Sequence, residues 1–237
     1  MDNPTVWLRT VCTKGGLRIL DDQMGALECY VGQLLEWNTR INLISRRDVG
    51  NIWTSHILHS ISPLFKVRIP DGACMIDIGT GGGLPGIPLK IMNPSMRLLL
   101  VDSTQKKINA VGEIVRELKL SDTAVRWGRA EDLAKEPDLR GRFDVVTARG
   151  VGPLYELARL AYPFVVSGKE DSGQHPAAAN PKPELAIPCL LAYKGGDLEE
   201  ELEKTRTEKI VRAIDVVTLA AEGLDPADAK KLVIVKF

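Results

Sequence analysis

Apolar residues in the first third of the chain recur at the three- and four-residue spacing of amphipathic helices. One series covers 17–37 and a second covers 52–64, and each places its apolar side chains on one helical face. The polar stretch 38–48 between them predicts a connection. We therefore expect an N-terminal helical extension over residues 1–70.

From residue 71 onward, short apolar runs alternate with amphipathic segments. The apolar runs predict seven strands, at 73–78, 97–102, 123–127, 143–148, 187–193, 211–219 and 232–237. Helical patterns fall between them, at 86–92, 105–118, 154–164 and 198–204. Nearly continuous apolar runs are typical of strands that are covered on both faces. The alternation predicts an α/β domain over 71–237 with a mostly parallel, seven-stranded sheet.

Two segments depart from this alternation. The linker 220–230 is too short for a helical crossover, so the last two strands are expected to pair as an antiparallel hairpin. The stretch 167–184 is polar and proline-rich without periodicity, which predicts a flexible surface insertion. His175 lies in that stretch, and we expect no catalytic role for it.

The composition is that of an ordinary globular protein, with 44% hydrophobic and 26% charged residues, which excludes a disordered chain. Thirty-one basic residues balance thirty-one acidic ones, and this argues against indiscriminate nucleic-acid binding. No apolar run is long enough to cross a bilayer, and no secretory signal is expected, so a cytoplasmic location is predicted. The dispersed cysteines and histidines predict no metal site.

The most informative segment is the glycine-rich sequence from Asp77 to Gly86, which follows the first predicted strand. A glycine-rich turn between a strand and a helix lets a ligand approach the backbone closely. No Gly-Lys-Ser/Thr sequence follows, which excludes a nucleoside-triphosphate loop. The alternatives are a dinucleotide site and a nucleoside-type site for a cofactor such as S-adenosylmethionine.

Acidic residues near this loop favour the nucleoside-type cofactor. Asp77 precedes Gly79 by two residues, where a dinucleotide-binding strand carries an apolar residue. Its carboxylate is suited to hold a loop amide or the ammonium of S-adenosylmethionine. Asp102 ends the second predicted strand, where an acid accepts hydrogen bonds from ribose hydroxyls in either kind of site. After the third strand, the amides of Ala130 and Glu131 are candidates to contact adenine, although acidic residues are also ordinary at a helix start.

The sequence DIGTGGGLPGIPL, from Asp77 to Leu89, resembles the signature of the RsmG/GidB family of methyltransferases. Four further segments agree with that family: NLISRRD at 42–48, HILHS at 56–60, TARG at 147–150 and AYKG at 192–195. The resemblance covers about residues 20–237 apart from the insertion. It implies a Rossmann-like, class I S-adenosylmethionine-dependent methyltransferase with an N-terminal helical extension. It also implies methylation of N7 of a guanine in bacterial small-subunit ribosomal RNA.

The resemblance and the loop analysis together give a set of site residues. The cofactor contacts expected are Asp77, Gly79, Gly81, Leu84, Asp102, Ser103, Thr104, Ala130, Glu131 and Arg149. The candidates for positioning the RNA are Arg47, His56, Arg149 and Lys194. The sequence departs from the family at His59, where an aspartate is common, and at Ser55, where a basic residue is frequent.

The chemistry of this reaction needs little from side chains. Guanine N7 carries an exposed lone pair and no proton, so it attacks the sulfonium methyl group in line without a general base. The enzyme's task is to hold N7 and the methyl carbon close together and aligned. We therefore expect no obligatory catalytic residue.

Two other functions stay open at this point. A small-molecule methyltransferase is opposed by the NLISRRD and HILHS segments, and a nicotinamide-dependent oxidoreductase is opposed by Asp77. The expected partner is small-subunit ribosomal RNA or the small subunit itself, with no membrane, and the expected state is a monomer.

Overall fold

The computed structural model describes residues 3–165, 182–219 and 230–237. The expectations for His175, for most of the insertion and for the linker between the last two strands therefore lie outside the described residues. Two described residues at the end of the predicted insertion touch the N-terminal region. Lys182 Nζ donates to the Leu64 carbonyl at 2.7 Å, and Glu184 forms an ion pair with Arg68.

The N-terminal region begins with two helices, α1 (Pro4–Lys14) and α2 (Asp21–Asn38). The Asn3 side chain caps α1 by accepting from the first amides of the helix. The helix predicted from residue 17 begins at Asp21, because the backbone of Leu20 is extended and its amide donates to Gln23 Oε1 at 2.9 Å. The connection predicted over 38–48 contains no helix after Asn38, the last residue of α2.

The second apolar series does not form one continuous α-helix. After a 3-10 turn at Val49–Asn51, it divides into a π-helical segment Trp53–Leu58, α3 (His59–Ile61) and a 3-10 turn Ser62–Phe65. Pro63 has no amide to donate to the His59 carbonyl, so the α-helical ladder ends there. The hydroxyl of Ser62 donates to that carbonyl instead, at 2.6 Å.

The rest of the chain alternates strands and helices as the sequence predicts. The strands are β1 (Cys74–Ile78), β2 (Arg97–Asp102), β3 (Thr123–Trp127), β4 (Val145–Arg149), β5 (Cys189–Lys194), β6 (Ala213–Leu219) and β7 (Lys230–Lys236). The helices are α4 (Gly86–Met92), α5 (Gln105–Glu117), α6 (Ala130–Leu133), α7 (Leu154–Ala161) and α8 (Glu199–Arg206).

These strands form one sheet in the order β3-β2-β1-β4-β5-β7-β6. The first five strands are parallel, while β7 is antiparallel to both β5 and β6. The mostly parallel, seven-stranded sheet is therefore confirmed, and so is the antiparallel pairing of the last two strands. The last strand, β7, is not at the edge of the sheet but lies between β5 and β6.

Helices cover both faces of the sheet and produce two apolar clusters. Alternate residues of β1 face opposite sides, so Met75 belongs to one cluster and Ile76 to the other. The first cluster also contains buried residues of α1, α2, α4 and α5, and the second contains those of α6 and α7. The N-terminal helices therefore share a core with one face of the sheet.

Candidate cofactor and substrate site

The strand order reverses at β1, which lies between β2 and β4. In open α/β sheets, ligands bind at such a reversal, beyond the carboxyl ends of the strands. The glycine-rich loop leaves β1 at this point. Gly79 and Gly81 have φ angles of 68° and 58°, which favour glycine. A Cβ atom on Gly79 would also lie 2.6 Å from Val151 Cγ2, so the loop packs closely against the segment that follows β4.

Asp77 joins the two ends of this loop. Its Oδ2 accepts hydrogen bonds from the Thr80 hydroxyl at 2.7 Å and from the Gly86 amide at 3.0 Å. The residue is fully buried, and its Oδ1 makes no hydrogen bond within the described part of the chain. Burial raises the pKa of Asp77 to about 7, although both hydrogen bonds oppose this shift. Of the two roles considered for this acid, the structure shows that it holds a loop amide.

Asp102 ends β2 and orients the loop from the other side. Its Oδ2 accepts from the Gly81 amide at 3.0 Å, and its Oδ1 accepts from the Thr104 amide at 2.8 Å. A carboxylate has about four acceptor positions, so each oxygen can take a further donor. Ser103 and Thr104 are exposed beside it, and Thr104 occupies the N-cap position of α5 without a capping hydrogen bond from its side chain.

Ala130 and Glu131, two further predicted cofactor residues, come shortly after β3, whose end lies beside Asp102. Trp127 pairs with Asp102 in the sheet register, and the Gly128 amide donates to the Asp102 carbonyl at 3.1 Å. Ala130 and Glu131 follow as the first two residues of α6, where amides have no partner within the helix. Leu84 is buried in the glycine-rich loop.

Arg149 and His56 form a second group of residues near the loop. Arg149 ends β4, and its Nη2 lies 3.0 Å from His56 Nδ1. A guanidinium has no acceptor, so Nδ1 accepts and the imidazole proton lies on Nε2. That nitrogen is 3.5 Å from Asp48 Oδ2. The three sequence segments NLISRRD, HILHS and TARG thus meet at one place.

His56 is neutral at this position. Burial, followed by the charge of Arg149, lowers the pKa of His56 to about 4, although Asp48 acts in the opposite direction. Burial likewise lowers the pKa of His59 to about 3. The His59 ring packs edge-on against Tyr193, with 5.3 Å between the ring centroids. Arg149 is therefore the cation of this group, and the two histidines are uncharged.

The other two candidates for positioning RNA differ in their surroundings. Arg47 is exposed, and its backbone amide donates to Ser45 Oγ at 3.3 Å. Lys194 ends β5, where its Nζ donates to the Gly152 carbonyl at 2.8 Å and pairs with Glu201 Oε2 at 2.7 Å. Lys194 therefore links the loop after β4 to α8.

Three residues at the site were not identified from the sequence. Tyr30 donates a hydrogen bond to the Gly82 carbonyl, and Asn38 accepts from two amides of the segment next to the loop. Neither belongs to a local motif. Trp127 is 56% exposed and donates through Nε1 to the Ser103 carbonyl at 3.0 Å. Trp127 could have been identified from the sequence, because it ends a predicted strand and comes one residue before a glycine.

Over residues 3–165, 182–219 and 230–237, no group of three or more histidine, cysteine or acidic side chains has the arrangement of a metal site. Among the same residues, no helix is both long and apolar enough to cross a membrane.

The order of the strands, with the glycine-rich loop at its reversal, is that of the Rossmann-like fold of S-adenosylmethionine-dependent methyltransferases. Solved structures of similar fold include M. jannaschii TYW2 in complex with AdoMet, with a TM-score of 0.53 and 13% identity over 79% of this chain and 78% of that one. Aeropyrum pernix fibrillarin, with natively bound S-adenosyl-L-methionine, has a TM-score of 0.51 and 15% identity over 75% and 72%. At these identities, the similarities show that this chain shares the fold of those two proteins.

Sequence comparison identifies the family. The GidB family model, described as rRNA small subunit methyltransferase G, matches residues 23–170. The protein named "Ribosomal RNA small subunit methyltransferase G" of Lachnoclostridium phytofermentans is 36% identical over 92% of this chain and 91% of its own length. The protein of the same name from Moorella thermoacetica is 37% identical over 85% and 74%. The chain belongs to the GidB family.

Proposed function

We propose that this enzyme transfers the methyl group of S-adenosylmethionine to N7 of a guanine in small-subunit ribosomal RNA. The main support is the position of the Arg149–His56–Asp48 group beside the glycine-rich loop, at the reversal in the strand order. The three family segments that form this group come from distant parts of the chain. A cofactor loop and a second polar group at one edge of the sheet are what transfer between two substrates requires.

The proposed cofactor contacts follow from the loop and the neighbouring strand ends. We assign the contacts with the ribose hydroxyls to Asp102; the support is that the Gly81 and Thr104 amides set the orientation of its carboxylate. The amides of Ala130 and Glu131 are proposed to contact the adenine edge. S-adenosylmethionine, when bound, supplies an electrophilic methyl group on sulfur.

Arg149 has two proposed contacts, the carboxylate of the methionine moiety or O6 of the guanine. A donor on N7 itself would occupy the lone pair that attacks the methyl carbon, so N7 is excluded as the partner of Arg149. The neutral state of His56 also suits the reaction, because N7 gains positive charge as the bond forms and added cations would oppose it. Asp48, which lies beyond His56, carries a negative charge, and a negative charge favours the positive charge that develops on N7.

The substrate is tested by incubating the enzyme with tritium-labelled S-adenosylmethionine and either intact small subunits, purified ribosomal RNA or free nucleosides. We expect label in the RNA, and mass spectrometry of the digested RNA is expected to find 7-methylguanosine at one position. Label that enters only free nucleosides would instead establish a small-molecule methyltransferase. Binding of NADH without binding of S-adenosylhomocysteine would establish a nicotinamide-dependent enzyme.

We further propose that a single chain in the cytoplasm is the active unit. The support is that Asp102, Arg149 and His56 meet their hydrogen-bonding partners within one folded chain. Light scattering of the active enzyme should give a mass close to 26.0 kDa. A stable dimer mass would contradict this part of the proposal.

A further inference from the structure

One face of α2 packs directly on the glycine-rich loop. The Tyr30 hydroxyl, which is fully buried, donates to the Gly82 carbonyl at 2.9 Å. One helical turn later, Leu34 also contacts the loop, and a Cβ atom on Gly82 would lie 2.7 Å from Leu34 Cδ1. Burial raises the pKa of Tyr30, so the phenol keeps the proton that it donates.

The segment after α2 supports the same part of the loop. Asn38 Oδ1 accepts from the Leu43 amide at 2.9 Å and from the Ile44 amide at 3.0 Å, which turns the chain back toward the sheet. Leu43 is buried against the loop, and a Cβ atom on Gly82 would lie 3.3 Å from Leu43 Cβ. A Cβ atom on Gly81 would lie 3.8 Å from the Leu43 carbonyl oxygen.

We propose that Tyr30 and Asn38 are positioning residues for cofactor binding. Through Gly82 and Leu43 they set the loop whose Gly81 amide orients Asp102. The N-terminal region then contributes to the affinity for the cofactor without touching it. This inference rests on the proposed function only in taking the loop as the S-adenosylmethionine site.

The test measures the affinity of the full chain for S-adenosylhomocysteine by calorimetry. Tyr30→Phe keeps the ring and removes one buried hydrogen bond, and we expect about 3- to 10-fold weaker binding. Tyr193→Phe is the matched control, because the buried Tyr193 hydroxyl donates to the Ser60 carbonyl at 2.7 Å and not to the loop. We expect its thermal midpoint to fall as that of Tyr30→Phe does, while its affinity stays within about twofold of wild type.

Asn38 provides a second, independent pair of variants. Asn38→Asp retains the acceptor oxygen for the two amides, whereas Asn38→Ala removes it. We therefore expect Asn38→Ala to weaken S-adenosylhomocysteine binding and Asn38→Asp to restore most of the affinity. In methylation assays, the KM for S-adenosylmethionine should rise in Tyr30→Phe and Asn38→Ala, while kcat at saturating cofactor stays close to wild type.

The inference is overturned if Tyr30→Phe and Asn38→Ala bind S-adenosylhomocysteine as wild type does while only their thermal midpoints fall. That result would assign both residues to folding stability alone. Failure of the wild-type protein to bind S-adenosylhomocysteine is a different outcome, because it would remove the proposed cofactor itself. The wild-type titration therefore separates the two proposals.

Discussion

Asp77 and His56 are two polar side chains near Arg149 whose burial favours their neutral forms. Desolvation raises the pKa of the acid to about 7 and lowers that of the histidine to about 4. The two shifts affect stability in opposite directions. Between about pH 4 and 6.5, the unfolded chain binds a proton at His56 more readily than the folded chain, so the contribution of His56 to folding stability increases as the pH rises. The contribution of Asp77 decreases over much of the same range, because there the folded chain binds the extra proton. Single variants are needed to separate them.

Asp77→Asn should change the pH dependence of stability. Below pH 3.8, the ordinary pKa of an aspartate, Asp77 is protonated in both the folded and the unfolded chain. Between about pH 4 and pH 7, only the folded chain retains this proton. Ionisation of Asp77 therefore lowers the stability of the wild type by roughly 1–4 kcal/mol as the pH rises from 4 to 7, separately from the opposite contribution of His56. The neutral variant lacks this loss. Thermal midpoints at pH 5 and pH 8 should show the variant gaining on the wild type at the higher pH.

Equal midpoint differences between the two proteins at both pH values would show that Asp77 ionises normally in the folded chain. Asp71→Asn is a suitable control, because Asp71 has an 85% exposed side chain. We expect its stability relative to wild type to be the same at pH 5 and pH 8, since an exposed surface acid has little effect.

Asp102→Asn should weaken cofactor binding. The amide group of asparagine replaces one acceptor oxygen with a donor, which then faces either the Gly81 or the Thr104 amide. We expect about 10- to 100-fold lower affinity for S-adenosylhomocysteine, measured by calorimetry. Affinity equal to that of wild type would remove Asp102 from the cofactor site.

The sequence identified Asp102 and the glycine-rich loop because both depend on local order along the chain. A strand followed by glycines, and an acid at the end of the next strand, are visible in a short stretch of residues. Tyr30 and Asn38 could not be identified in this way, because their function depends on contacts with Gly82 and Leu43 that only the folded chain creates. A buried tyrosine on an apolar helical face is otherwise an ordinary core residue.

At the scale of elements, α2 is a helix with one face against the loop and another in solvent. Gly32 is on the exposed side, and a Cβ atom there would have no neighbour within 4 Å. Gly82, on the loop, has the opposite environment because Leu34 and Leu43 lie against it. Alanine at Gly32 therefore tests the stability of the helix itself, whereas alanine at Gly82 tests the contact between the helix and the loop.

Gly32→Ala should stabilise the protein by about 0.5–1 kcal/mol, because alanine is the better helix former and meets no neighbour. Gly82→Ala should destabilise it by about 1–3 kcal/mol, because the added methyl group would lie 2.7 Å from Cδ1 of the buried Leu34 and 3.3 Å from Leu43 Cβ, so that both side chains must shift in a packed core. Denaturant unfolding measures both changes. Of the two variants, only Gly82→Ala should also weaken S-adenosylhomocysteine binding. If Gly82→Ala has the stability and affinity of the wild type, the close contact of Leu34 and Leu43 with the loop is contradicted.

The elements show a similar division between what the sequence predicts and what it does not. Strands β2 and β3 have the predicted bounds, since their apolar runs end at charged or glycine residues. The helix type within 53–65 was not predictable, because α, π and 3-10 turns bury nearly the same apolar positions over so few residues. The insertion of β7 between β5 and β6 was also missed, since strand order depends on pairing between distant segments.

At the scale of the whole molecule, the equal numbers of basic and acidic residues limit how RNA is held. A protein without excess positive charge cannot rely on many phosphate contacts distributed over its surface. The exposed Arg46 and Arg47 follow the segment that packs on the glycine-rich loop, at the carboxyl edge of the sheet. We therefore expect binding through a few local contacts.

The dependence of the KM for small subunits on salt tests this expectation at constant magnesium. With about three phosphate contacts, the logarithm of the apparent affinity should fall with a slope of about −2 against the logarithm of salt concentration. Arg46→Gln/Arg47→Gln should reduce the magnitude of that slope by about 1.4. Arg97→Gln/Lys119→Gln changes the net charge equally, but both residues are exposed at the opposite, amino edge of the sheet, beside the start of β2 and before β3. If the two double variants reduce the slope equally, overall charge and not a local contact governs RNA binding. A wild-type slope near −10 would mean many phosphate contacts, which the balanced charge argues against.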